Sequence, residues 1–220
     1  MSALRLFGVV AADGDNRPFL AETGVVTFRD LAAVVSPTPY ARPEPSHGDV
    51  ATYRSVVESV FAQRAILPAP TGVVFRTRDA LERWLELHFV TLTDGLAYVE
   101  GRIGARVHVL RKAERLSTAV AAVAGGAVAA TIERPDETGL DVGAIASESF
   151  RVLRRLAAAS VAIRPAGPES GASASFLLER DRWGAFEGAV AEEARRDFEL
   201  EFRVTGPWPP YDFVRMQFGR

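Results

Sequence analysis

The stretch Val99-Glu100-Gly101-Arg102-Ile103-Gly104-Ala105-Arg106-Val107-His108-Val109 alternates without a break. Its odd positions are small or apolar, and its even positions carry Glu100, Arg102, Gly104, Arg106 and His108. Period two with one polar face predicts a β-strand whose other face is covered. Phe198, Leu200, Phe202 and Val204 alternate with Glu199, Glu201 and Arg203 in the same way and predict a last strand. Between these two, the pattern is mixed. Ala113 to Ala124 reads as a helix with Leu116, Val120 and Val123 inward and Gly125 as its stop. Phe150, Leu153 and Leu156 mark a helix from about Ala146 to Ala159. Val161 to Ile163 reads as a strand, Pro165 to Gly171 as a loop, and Ala174 to Leu178 as a returning strand. Asp181 is placed to cap a helix that turns Trp183, Phe186 and Val190 inward. Strand, helix, strand, strand, helix, strand is the βαββαβ ferredoxin-like order, here with an insertion after the first strand.

The first half has a different grammar. Ala3 to Ala12 reads as a buried strand, followed by the turn cluster Asp13-Gly14-Asp15-Asn16. Val25 to Phe28 and Leu31 to Val35 add strands, and Pro37 to Gly48 is a proline-rich loop. Two amphipathic helices follow. Asp49 is a cap candidate for the first, whose stripe is Tyr53, Val56, Val57, Val60 and Phe61. Thr77 is the cap candidate for the second, whose face is Leu81, Trp84, Leu85, His88 and Phe89. Leu67 to Phe75 is a bend broken by Pro68 and Pro70, then a short strand. Thr93-Asp94-Gly95 reads as a break and as the domain boundary. The expectation is an α+β chain of two domains: a mixed N-terminal domain over 1–94, and a C-terminal ferredoxin-like domain over 95–220 that ends in an extended proline and aromatic tail.

Composition narrows the function. The 220 residues carry a formal net charge of −2, which offers no basic footprint for nucleic acid and no polybasic patch for a membrane. There are no cysteines, so thiolate catalysis, disulfides and cysteine metal sites are excluded. Of the 26 positive side chains, Lys112 is the only lysine, and its setting, Arg111-Lys112-Ala113, is not a phosphate-binding loop. His47, His88 and His108 share no metal-ligand spacing. Gly171-Ala172-Ser173-Ala174-Ser175 lacks the last glycine of a nucleophile elbow. Glu133, Asp136, Glu137 and Asp141 read as a solvated acidic loop, and Arg195-Arg196 as cations complementing a helix C-terminus. Leu4 to Ala12 is too short to span a bilayer, and the uncharged run Leu116 to Ile132 is too rich in alanine and glycine to do so. No catalytic, cofactor or metal residues are expected. The expectation is a binding or assembly protein in the cytoplasm.

Near the end of the chain stands Gly206-Pro207-Trp208-Pro209-Pro210-Tyr211-Asp212-Phe213-Val214. Three prolines remove backbone donors and fix φ, so the segment is stiff and extended. Trp208, Pro209, Pro210, Tyr211 and Phe213 are the candidates for either an interaction surface or an interdomain clamp.

This closing motif resembles that of the gas vesicle protein F/L family. Leu4-Arg5-Leu6-Phe7-Gly8-Val9-Val10 is similar to the family's first strand. Leu67-Pro68 with Gly72 and Phe75 resembles the segment after its first long helix. Ser175-Phe176-Leu177-Leu178, Arg180-Asp181 and Phe186 resemble a late strand-helix unit. Two positions depart from the pattern: Thr71 stands where phenylalanine is usual, and Gly104 where glutamate is common. The resemblance implies a two-domain α+β fold with a ferredoxin-like C-terminal domain. It implies a non-enzymatic role in gas vesicle formation, in the cytoplasm and at the vesicle, with the hydrophobic major shell protein and other accessory proteins as partners. The contrasting expectation is a small-molecule-binding or enzymatic ferredoxin-like protein, which would need a pocket of converging polar groups.

Overall fold

The structure, a computed structural model, describes residues 3–12, 23–40, 47–112, 142–164, 171–216 and 218. The first sheet is antiparallel. β1 (Ala3–Ala11) lies inside it, flanked by β3 (Leu31–Thr38) and by the short strands β4 (Leu67–Pro68) and β5 (Val74–Phe75), while β2 (Gly24–Phe28) pairs the far side of β3. β1 is apolar along most of its length because both its faces are covered. A register shift between Leu6 and Gly8 changes the phase of the strand. Leu6 and Val9 therefore serve one core cluster, and Phe7 and Val10 the other. At Gly8 a Cβ would lie 2.6 Å from the Leu67 carbonyl oxygen, so only glycine lets β4 approach this closely.

One face of this sheet is covered by α1 (His47–Phe61), which buries the expected stripe Tyr53, Val56, Val57, Val60 and Phe61. The other face is covered by α2 (Arg78–Leu87) and α3 (Phe89–Val99), which bury Leu81, Trp84, Leu85, Leu92, Leu96 and Val99. The Thr77 hydroxyl accepts from Ala80 N at 3.2 Å and caps α2.

The second sheet is also antiparallel, in the order β7-β8-β6-β9. Its strands are β6 (Arg102–Arg111), β7 (Ala159–Ile163), β8 (Ala172–Glu179) and β9 (Leu200–Trp208). α4 (Val142–Leu153) and α5 (Trp183–Arg196) pack on one face, where Ile103, Ala105, Val107 and Val109 meet Ala174, Phe176, Leu178, Phe186 and Val190. Phe176 sits at the centre, 6.0 Å from the Phe150 ring of α4 and 5.2 Å from the Phe186 ring of α5. The polar face of β6 turns toward α1 and the C-terminal segment.

Several local readings of the sequence change. Thr93-Asp94-Gly95 is no break but the middle of α3, so a boundary between 94 and 95 would cut that helix. The Thr93 hydroxyl donates to Phe89 O at 2.9 Å, and Gly95 packs against Leu67, where a Cβ would sit 3.2 Å from its Cδ1. Val99 closes α3, and Gly101 turns the chain at φ 70° before β6 starts. α2 ends at Leu87, with His88 joining it to α3. Asp49 is inside the first turn of α1 and pairs with Arg5 at 2.8 Å. Asp181 lies in a 3₁₀ turn, Arg180–Arg182, and α5 begins without a side-chain cap. α4 starts at Val142 and gives way to a 3₁₀ turn at Arg154–Leu156, which leaves Ala159 to β7. Pro37 belongs to β3, opposite Leu4, and His47 already belongs to α1. Phe198 precedes β9 and is 75% exposed. The expected helix from Ala113 to Ala124, the acidic loop at 133–141, the turn at 13–16 and most of the loop from Pro165 to Gly171 lie outside the described residues.

Phe176→Ala would leave a cavity between the Phe150 and Phe186 rings and should cost about 3–5 kcal/mol. A denaturant titration checks this, with the midpoint expected to fall at an unchanged slope.

Candidate functional site

The terminal motif begins inside β9. Thr205 pairs with Arg106, and then the register shifts so that Trp208 faces Gly104. β9 is an edge strand, where a proline costs no ladder bond on its open side, so Pro207 fits. The close approach is built from glycines on both strands. A Cβ at Gly104 would stand 3.2 Å from Pro209 O and 3.3 Å from Trp208 O. Gly206, at φ 140°, leaves room for the Trp183 ring and for Gly104 O. This accounts physically for glycine at position 104.

After β9 the chain crosses from the second sheet to the first. Pro209 and Pro210 are buried, and Tyr211–Phe213 form a 3₁₀ turn with Tyr211 N on Pro209 O at 2.7 Å and Phe213 N on Pro210 O at 3.0 Å. The Tyr211 ring lies 6.4 Å from Tyr53 of α1. Tyr53 in turn stacks 6.3 Å from Phe7 and donates to Ala69 O at 2.5 Å. Val214, Met216 and Phe218 then pack on the α2–α3 side of the first sheet, where Phe218 stacks on Trp84 at 5.0 Å. Of the five candidates from the sequence, Pro209, Pro210, Tyr211 and Phe213 are drawn inward. Trp208 is 38% exposed and donates weakly to the Thr205 hydroxyl at 3.3 Å.

A cleft of about 240 Å³ lies beside this crossing, lined among others by Arg54 and Glu58 of α1, Arg106 and His108 of β6, and Tyr211 and Asp212. Arg106 Nη2 donates to Asp212 Oδ2 at 2.8 Å, and its Nε reaches the Ser175 hydroxyl at 3.4 Å. The Ser175 hydroxyl donates to the same carboxylate oxygen. His108 Nδ1 pairs instead with the Ser173 hydroxyl at 2.7 Å. His108 and Asp212 thus serve different serines, and no Ser–His–Asp relay forms. Burial lowers the His108 pKa, and the nearby Arg106 and Arg203 charges lower it further. Burial raises the Tyr53 phenol, helped by Tyr211. The Tyr211 phenol is pushed up to about 12 by burial and by the Glu58 charge, against the opposing effect of Arg54. The Tyr211 hydroxyl and Glu58 Oε1 are buried without hydrogen-bond partners among the described residues. Among those residues no three histidines or carboxylates converge as a metal would require, and no helix is long and apolar enough to cross a membrane.

Sequence reading missed Arg106, Ser175 and Asp212. Arg106 carried a signal, its place on the polar face of a strand, but alternation alone does not say what covers that face.

Two antiparallel sheets with helices on their faces define an α+β protein of a specific architecture. Over residues 6–215 the chain matches the family described as gas vesicle synthesis protein GvpL/GvpF, and it belongs to that family. It is 30% identical to gas vesicle protein F of a Streptomyces species over 206 residues, covering 84% of each chain. It is 28% identical to gas vesicle protein F2 of Halobacterium salinarum over 200 residues, covering 88% of this chain and 81% of the relative. The fold is similar to the crystal structures of gas vesicle protein GvpF from Anabaena (TM-score 0.75, 16% identity, 99% of this chain and 100% of that one) and from Microcystis aeruginosa (TM-score 0.73, 14% identity, 98% and 100%). Family membership gives the chain a gas vesicle role.

Asp212→Ala removes the acceptor shared by Arg106 and Ser175. The pair is partly exposed, so the expected loss is about 1–2 kcal/mol, with a smaller loss for Asp212→Asn. Thermal unfolding of the two variants checks the order. The His108 shift has a defined sign. Its folded pKa lies below the unfolded value, so the unfolded chain takes up the proton first as pH falls. Stability should be full above about pH 7 and decline as pH drops through about 6.5, and His108→Asn should flatten that decline.

Proposed function

We propose that this chain is a non-enzymatic assembly factor or minor structural component of gas vesicles, acting in the cytoplasm and at the vesicle. It binds the hydrophobic major shell protein, and works beside other accessory proteins, while the shell forms. The observation that carries this reading is the family match across residues 6–215, which takes in both sheets and the crossing segment. A shell wall that excludes water requires subunits with apolar surface, and that surface needs cover before assembly. A two-sheet protein joined by a proline and aromatic crossing segment suits such holding.

The strand order β7-β8-β6-β9, with α4 and α5 on one face, supports reading the second half as a ferredoxin-like unit with its insertion between β6 and α4. The contacts of Pro209, Pro210, Tyr211 and Phe213 support reading the terminal motif as the clamp between the two units, with Trp208 as its exposed edge.

Co-expression with the major shell protein tests the proposal. Shell protein that stays soluble and co-purifies with this chain is the expected result. Shell protein that aggregates to the same extent with and without this chain would overturn it.

A further inference from the structure

Among the described residues, β9 is the one long strand at a sheet edge. It has nine residues, whereas β2 and β7 have five each and β4 and β5 two each. Shortness protects an edge, because an edge strand presents unpaired backbone groups to any other strand. Among the described residues nothing pairs the outer side of β9. The groups that face that side follow from the ladder with β6. Lys112 N donates to Glu199 O at 2.9 Å, so the facing residues Arg111 and Leu200 exchange no backbone bonds of their own. The pattern alternates from there. Glu201, Arg203 and Thr205 direct their backbone groups to Leu110, His108 and Arg106, while Phe202 and Val204 aim theirs outward.

The side chains of this edge are complementary to themselves. Phe202 and Val204 lie on the helix-covered face, packed against the core. Glu201 and Arg203 lie on the opposite face, where Arg203 Nε donates to Glu201 Oε1 at 2.7 Å. Charges of one sign along an edge repel a second copy, whereas opposite charges two residues apart attract it in one register. With an antiparallel two-fold axis at Phe202, Glu201 of each copy stands opposite Arg203 of the other. They form a pair without mutual backbone bonds, the kind whose side chains lie closest. An axis at Glu201 or at Arg203 would set like charges face to face, and one at Val204 would leave both charges without an opposite partner. The axis at Phe202 also brings Phe198, 75% exposed, level with Gly206 of the other copy. An aromatic ring beside a bare edge glycine is a stabilising pair.

We propose that β9 pairs with β9 of a second copy of this chain, antiparallel about a two-fold axis at Phe202, and joins the two four-stranded sheets into one. The Phe202 residues exchange both backbone bonds across the axis, and Val204 N–H of each copy meets Leu200 O of the other. Leu200 N is already held by Asp197 O at 3.1 Å, and Pro207 carries no N–H, so the shared ladder is bounded at both ends. Such a contact uses the same edge on both copies, and assembly through it closes at a dimer. The pairing is independent of the function proposed above. It would present any binding surface of the chain twice in one particle.

Sedimentation velocity of the full chain over a concentration series tests this. The expected result is a reversible dimer. Glu201→Arg and Arg203→Glu each set like charges opposite one another and should weaken that dimer at least about tenfold, while far-UV circular dichroism stays that of the folded chain. The double variant Glu201→Arg/Arg203→Glu restores unlike pairs across the axis and should dimerise as the wild type does. It also keeps an ion pair within the strand, so it remains readable even if a single reversal disturbs folding. Arg151→Glu, which breaks an exposed ion pair on α4, is the control and should leave the dimer unchanged. A wild type that stays monomeric throughout the series would overturn the proposal. So would a dimer that the single reversals leave intact, or one that the double variant fails to restore.

Discussion

The pairing of Arg106 with Asp212 is the constraint on which the seam depends. Arg106 sits on the polar face of an interior strand, and the fold covers that face with α1 and the C-terminal segment. The guanidinium keeps part of its surface in water, so a carboxylate partner there adds modest energy and mainly fixes geometry. Asp212 meets it, and Ser175 adds a donor to the same oxygen. With Asp212 fixed, the neighbouring Tyr211 falls on Tyr53, and the chain beyond is aimed at Trp84 and Phe75. The ion pair, the ring contacts and the glycine approach together hold the path by which the last residues join the two sheets.

The prolines make that path economical. A segment packed between two sheets must satisfy every backbone N–H it carries in. Pro207, Pro209 and Pro210 carry none. Their restricted φ also lowers the entropy lost when the segment is ordered. Two of the donors that remain, Tyr211 N and Phe213 N, are met within the 3₁₀ turn itself. A sequence that looks like a docking rod is therefore equally suited to be a built-in strap, and the ring contacts of Tyr211 and Phe218 show that it packs on its own chain.

Periodicity made most elements legible. The stripe of α1 was readable residue by residue, because Tyr53, Val56, Val57, Val60 and Phe61 repeat at helical spacing and nothing interrupts them. The strands of both sheets were readable from apolar runs and alternation. What was hidden depends on partners distant in sequence. Thr93-Asp94-Gly95 has the composition of a turn, but the Thr93 hydroxyl bonds back to Phe89 O, and Leu67 fills the space that Gly95 leaves. Tertiary packing there outweighs local propensity. Asp49 looked like a cap because its partner Arg5 is on another element. The polar side of β6 looked wet because alternation distinguishes two faces without saying which contents meet them. The family motif was legible at Thr205 to Val214, yet its geometric counterpart, the bare Gly104, was visible only as a departure from the pattern.

Lys112 follows the strand that carries Arg106. Its backbone N–H donates to Glu199 O at 2.9 Å, and its Nζ donates to Phe198 O at 2.7 Å. Because every other basic side chain except the histidines is arginine, reagents that acylate amines have one internal target in this chain. A spectroscopic probe or a cross-linker carried by that amine would report from a single known place, at the rim of the second sheet. The composition of this protein therefore supplies a built-in coordinate from which distances to any bound component can be measured, with no engineered cysteine.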